Sequence, residues 1–129
     1  MKVDPLFKMG QVRLHSGEIS NFKIECEALT DEDWETLAMI VHDRYPRFGY
    51  VRGVARGGLK LADALEKYKD PAQSLMLLVD DVLTTGASIT ALRDAVDYPH
   101  VVGVVIFARS EPPGWVQSVF TMWQENVEP

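Results

Sequence analysis

Apolar and polar positions along this 129-residue chain repeat with two different periods. Trp34, Leu37, Ala38, Val41 and Tyr45 recur at three- and four-residue spacing, the stripe of an amphipathic helix. Thr30 and Asp33 resemble a capping box ahead of it, and Pro46 ends it. Tyr50–Val54 reads as a strand, and Leu61, Ala62, Leu65 and Tyr68 return to helical spacing. Leu75–Val79 is a continuous apolar run, as expected of a strand buried on both faces. Ser88, Ile89, Leu92 and Val96 predict another helix, and Val101–Phe107 another strand. Pro112-Pro113-Gly114 is a turn, and Val116–Trp123 reads as an edge strand. Residues 1–26 predict an irregular arm ending in a strand, and 27–123 the core of a single domain. Strands alternating with helices predict an α/β fold with parallel βαβ units and right-handed crossovers.

The Leu75–Val79 run stops abruptly at two carboxylates, Asp80 and Asp81. Val82 and Leu83 follow, then Thr84, Thr85, Gly86, Ala87 and Ser88 at the predicted start of a helix. In open α/β sheets ligands sit beyond the carboxyl ends of the strands. The two acids suit sugar hydroxyls or a metal ion. The N–H groups at a helix N-terminus and its dipole suit a phosphate, and Gly86 lets the backbone approach closely. Each hydrogen bond to a charged group is worth roughly 1.5–3 kcal/mol, so three or four hold a phosphate firmly. Paired acids after an apolar strand also occur in phospho-receiver domains, which leaves Thr84-Thr85-Gly86 without a role. A ligand with both a ribose and a phosphate fits the whole string.

A second turn lies one strand earlier. Ala55, Arg56, Gly57 and Gly58 join the Tyr50–Val54 strand to its helix. Paired glycines let backbone amides face an anion, and Arg56 adds a fixed charge with a fork of donors.

Together these strings closely resemble type I phosphoribosyltransferases. The resemblance implies a parallel-sheet, three-layer core with a small N-terminal hood. It implies that Asp80 and Asp81 hold the ribose hydroxyls directly or through Mg2+, that Thr84, Thr85, Gly86, Ala87 and Ser88 cradle the 5-phosphate, and that Val82 and Leu83 belong to the same phosphoribosyl pyrophosphate site. By the same resemblance Ala55, Arg56, Gly57 and Gly58 bind the diphosphate, in a loop that often carries a non-proline cis peptide. Asp80, Asp81 and Arg56 would then act in catalysis. The segment from Leu14 to Ile24, with Ser16-Gly17, Ser20 and Phe22, is similar to the N-terminal pattern of orotate phosphoribosyltransferases. That subfamily has an arginine meeting the pyrimidine at the position of Arg109, and Phe22 would stack on the base. Against these stand plainer roles: Arg109 paired with Glu111, and Phe22 as a core aromatic. The family also implies phosphoribosyl pyrophosphate and a nucleobase, orotate foremost, as substrates, and a homodimer.

The chain departs from the family in two places. His15 stands where orotate enzymes usually have lysine. More consequentially, the family inserts strands and a long mobile loop before the Asp-Asp strand, whereas Tyr68 is followed only by Lys69–Gln73. Lids exclude water and complete a catalytic set. The expectation is turnover that is slow, uses another lid, or is absent, which makes a non-catalytic nucleotide-binding module the main alternative. A purine salvage enzyme is the second.

The remaining features narrow the class. A net charge of -6 lacks the basic footprint of a nucleic-acid binder. No apolar run approaches the roughly 20 residues of a membrane helix. The single cysteine, Cys26, excludes an intrachain disulfide and points to a reducing, cytoplasmic compartment. It reads as a buried apolar residue rather than a nucleophile. Trp115 and Trp123 read as packing residues, and His42 and His100 form no metal constellation.

Overall fold

A computed structural model describes residues 6–13 and 19–122, with backbone alone for 7–13 and 19–23. An antiparallel pair, β1 (Phe7–Arg13) and β2 (Ile19–Ile24), precedes the core. Helix α1 (Asp31–Arg44) follows a short turn at Cys26–Ala28. Its capping box is complete. The Thr30 hydroxyl accepts from Asp33 N at 3.1 Å, and the Asp33 carboxylate accepts from Thr30 N at 2.9 Å. The chain continues through β3 (Tyr50–Gly53), α2 (Leu59–Leu65), β4 (Met76–Leu83), α3 (Ala87–Val96), β5 (Val101–Ala108) and β6 (Val116–Thr121). The four core strands form a parallel sheet in the order β3-β4-β5-β6. The predicted α/β class, the parallel sheet and the β6 edge strand are thus all present.

Side-chain alternation along the strands divides the core in two. Val51, Leu77, Val79, Val104 and Ile106 share one cluster with Trp34, Leu37 and Val41 of α1 and Leu61 and Leu65 of α2. Leu78 and Val105 belong to the opposite face, with Ile89 of α3, Leu83, Val116 and Trp115. Both faces of β4 are therefore covered, which explains its unbroken apolar run.

Two expectations require correction. Phe7–Arg13 forms a strand paired with β2 in place of the expected irregular arm, because its backbone finds its hydrogen-bond partners across the hairpin. The strand order advances in a single direction, so crossovers of one hand place every connection on one face. Here α3 and the β5–β6 connection cover one face while α2 covers the other. The β3–α2–β4 unit therefore has the opposite hand to the two units after it, and by the right-handed rule it is the exception. Alternation of strands and helices could not reveal this, because hand depends on which face each helix buries. The β5–β6 crossover is also unusual, since it uses seven residues, Arg109–Trp115, and no helix. Parallel strands normally need a dozen or more.

Leu77 is fully buried and Met39 is 59% exposed. Leu77→Ala should cost about 2–5 kcal/mol in denaturant unfolding, and Thr30→Ala about 1 kcal/mol through the lost cap. Met39→Ala should stay within about 0.5 kcal/mol.

Candidate ligand site

The site lies at the carboxyl ends of β3 and β4. The strand carrying the acids is longer than its apolar run predicts: β4 extends through Asp80 and Asp81 to Leu83, because it pairs with β5 as far as Leu83 opposite Ala108. Asp80 is buried at 9% exposure, and Asp81 is half-buried. Each carboxyl caps the backbone immediately after it. Asp80 Oδ1 accepts from Asp81 N at 2.8 Å, and Asp81 Oδ1 accepts from Val82 N at 2.7 Å. Burial pushes the Asp80 carboxyl up to about 8, and the adjacent Asp81 carboxyl adds to this. The backbone N–H of Asp81 opposes the shift only in part.

Beyond β4, Thr84, Thr85 and Gly86 lead into α3. Gly86 caps the helix with φ at 85°, a conformation glycine adopts without steric cost. Ala87 N donates to Thr85 Oγ1 at 3.2 Å, and the first helical bond runs from Thr90 N to Gly86 O at 3.1 Å. The amides of Gly86 to Ser88 thus lie in the part of the helix whose N–H groups have no intrahelical acceptor. A pocket is lined by Asp80, Thr84, Thr85, Gly86, Ser88 and, at its base, Val105. The structure therefore gathers the first acid and the predicted phosphate loop around one concavity.

The second turn joins the site through Asp81. Residues Ala55–Gly58 form a turn closed by Gly58 N to Val54 O at 2.8 Å, and the strand end is pinned by Val54 N to Val79 O at 2.8 Å. The Ala55–Arg56 peptide is cis. Gly57 lies directly against the Asp81 carboxylate, where a Cβ would collide with both carboxylate oxygens. Gly58 packs as closely on the Val79 carbonyl. The Arg56 side chain is exposed at the mouth of this turn.

Cys26 is the neighbour that sequence reasoning missed. It is buried, as expected, and that burial, with the charges of the nearby Asp81 and Asp80, pushes its thiol up to about 12. It stays protonated, which agrees with an inert role. Nothing in the sequence connects position 26 to positions 80 and 81; the packing of the Cys26 turn under the sheet does. Arg109 directly follows β5, and its N–H donates to Leu83 O at 2.9 Å, so it lies beside the Thr84–Ser88 loop. Phe22 lies on β2, and its side chain falls outside the described residues, as do His15, Ser16, Gly17 and Trp123.

No family model matches the sequence, and no curated protein matches it. Solved structures do. The chain is similar to orotate phosphoribosyltransferase from Aeropyrum pernix, with 24% identity and a TM-score of 0.75 over 91% of this chain and 88% of that one. It is similar to Mycobacterium tuberculosis H37Rv orotate phosphoribosyltransferase in complex with 5-phospho-α-D-ribosyl 1-diphosphate, with 17% identity and a TM-score of 0.68 over 91% and 90%. A phosphoribosyltransferase from Corynebacterium diphtheriae matches with 13% identity and a TM-score of 0.60 over 80% and 78%. At these identities the likeness establishes the fold, and the fold is that of the phosphoribosyltransferases.

Proposed function

We propose that this protein is a phosphoribosyltransferase that uses phosphoribosyl pyrophosphate and a nucleobase, orotate foremost. The observation that carries this reading is the contact of Gly57 with Asp81. It brings a turn suited to a diphosphate within one van der Waals contact of an acid suited to ribose hydroxyls. The phosphate loop follows on the same strand end. Three anion- or hydroxyl-binding elements thus stand in the order that a 5-phosphorylated ribose diphosphate requires. The orotate-enzyme neighbours, one of them in complex with this diphosphate, add support at the level of fold.

In this reading a ring nitrogen of the base forms a bond to the anomeric carbon as its bond to the diphosphate oxygen breaks. The nitrogen's proton is lost and pyrophosphate leaves. Charge develops on the sugar, so the Asp81 side chain beside it lowers the barrier electrostatically. Arg56 balances charge on the departing diphosphate. Thr84 to Ser88 hold the 5-phosphate and fix the sugar in place. Arg109 and Phe22 are assigned to the base.

Asp80 and Asp81 are also the residues that would hold Mg2+. Among the described residues no three His, Cys, Asp or Glu side chains converge as a metal cage. Two adjacent carboxyls still fit this ion, which is commonly held by one or two carboxylates together with substrate phosphates. When bound, it would neutralise diphosphate charge.

A second reading is a binding module without turnover. What favours it is the brevity of the α2–β4 link and its place in the fold. The link enters β4 at Met76, about 13 Å of strand before Asp80, and is tied by Asp70 N to Phe48 O at 2.8 Å. It runs at the end of the sheet away from the acids and offers them no cover.

Incubation with Mg2+, phosphoribosyl pyrophosphate and a panel of bases should release pyrophosphate, fastest with orotate. Silence with every base, alongside tight calorimetric binding of the diphosphate sugar, would establish the second reading instead. In an active protein Arg56→Ala should lower kcat/KM roughly 10- to 100-fold, as expected for one lost charged hydrogen bond. The double change Asp80→Asn with Asp81→Asn should weaken calorimetric affinity for the same ligand, and unchanged affinity would remove the acids from the site. A pH series tests the state of Asp80. Its carboxyl sits near 4 in an unfolded chain and about 8 when folded, so the folded protein holds the extra proton between these values. The stability this gives is full below about 4 and is lost as pH rises through about 8. Urea unfolding with chelator and no ligand should therefore show Asp80→Asn gaining on the wild type from pH 4 to 9, by at most about 1.4 kcal/mol per pH unit.

A further inference from the structure

We propose that Ser110 is a positioning residue that sets the phosphate loop from behind, through the seven-residue crossover between β5 and β6. This rests on the reading of Thr84–Ser88 as the phosphate loop. The crossover touches that loop at successive points. Arg109 N donates to Leu83 O at 2.9 Å, and the Ser110 hydroxyl donates to Thr84 O. Pro113 comes next, with its ring 3.5 Å from where a Cβ on Gly86 would stand. At its far end Trp115 packs under the Arg93 guanidinium of α3 at 4.6 Å, which anchors the crossover to the same helix that the loop begins.

Among these contacts Ser110 is the one side-chain hydrogen bond to the loop's backbone. Thr84 O belongs to the peptide whose N–H is that of Thr85. Fixing this carbonyl therefore fixes the orientation of a peptide inside the loop, next to the pocket that Asp80 lines. Ser110 and Thr84 are both half-buried, so water competes weakly for the bond. A helical crossover would meet the sheet through side chains along its length. This one is short enough that its backbone and one hydroxyl press on the loop itself. The same segment begins with Arg109, so the loop and the residue assigned to the base are held by adjacent links of one chain.

The test is calorimetric titration of the full chain with ribose 5-phosphate, with phosphoribosyl pyrophosphate and with inorganic pyrophosphate. Ser110→Ala should weaken the two 5-phosphate ligands about fivefold, the change that one neutral hydrogen bond supports. Affinity for pyrophosphate, which has no 5-phosphate and is assigned to the Arg56 turn, should stay the same. Ser110→Thr, which keeps the hydroxyl, should recover most of the loss. Should Ser110→Ala fail to fold, Ser110→Cys, somewhat larger and with a weaker donor, should give the same selective loss at smaller size. Equal affinity of the alanine variant and the wild type for ribose 5-phosphate overturns the role of Ser110. So does a loss that falls as heavily on pyrophosphate, which marks general damage. A wild type that binds neither sugar phosphate overturns the functional reading itself, a result distinct from either of these.

Discussion

The backbone of Gly57 rests against the carboxylate of Asp81, and that single close approach decides how the rest of the site is arranged. Two parallel neighbours, β3 and β4, end at different heights. β3 stops at Gly53, opposite Val79, and β4 runs on to Leu83. The step leaves room beside Asp81 for the next turn of the shorter strand. Only a residue without a side chain fills that room. The turn is then locked by Val54 N on the Val79 carbonyl and Gly58 N on the Val54 carbonyl. A cationic turn and an acid, 25 residues apart in sequence, become one surface.

The electrostatics of that surface follow from burial. A carboxyl enclosed by apolar strands loses hydration that one backbone N–H cannot replace. Asp80 consequently holds its proton well above the ordinary range for the group, whereas Asp81 stands at the edge of solvent. The pair is adjacent in sequence and unlike in exposure, although the two carboxyls are hydrogen-bonded to each other. The same enclosure keeps the nearby Cys26 thiol protonated.

The sheet places these groups by an unusual path. With α2 on one face and α3 on the other, the chain advances steadily across four strands while changing the hand of its crossover. The link before β4 is too short to leave the sheet edge, and the link after β5 too short to form a helix. The first removes any cover for the site from that direction. The second brings Arg109 and Ser110 against the Leu83–Ser88 segment. Economy of chain length thus acts on the site in opposite senses, opening one side and bracing another.

Local features were readable from the residues alone. Period 3.6 in Trp34 to Tyr45 located α1, the Thr30–Asp33 pair located its cap, and the apolar run before Asp80 located the central strand. Those signals are local because hydrogen bonding and side-chain direction repeat within a few residues. The acid pair and the glycine-rich turn were legible for the same reason, since their chemistry is carried by contiguous residues. The hand of the β3–α2–β4 unit was not legible, nor the extension of β4 through the acids. The contacts of Cys26 with the acids and of Ser110 with Thr84 were equally hidden. Each depends on which face a helix buries or on which partner a strand finds across the sheet. Those choices are made by long-range packing, where residues far apart in the chain compete for the same buried surface. The sequence by itself determined the core helices and strands and the two candidate loops; only the tertiary structure decided which of those loops meet.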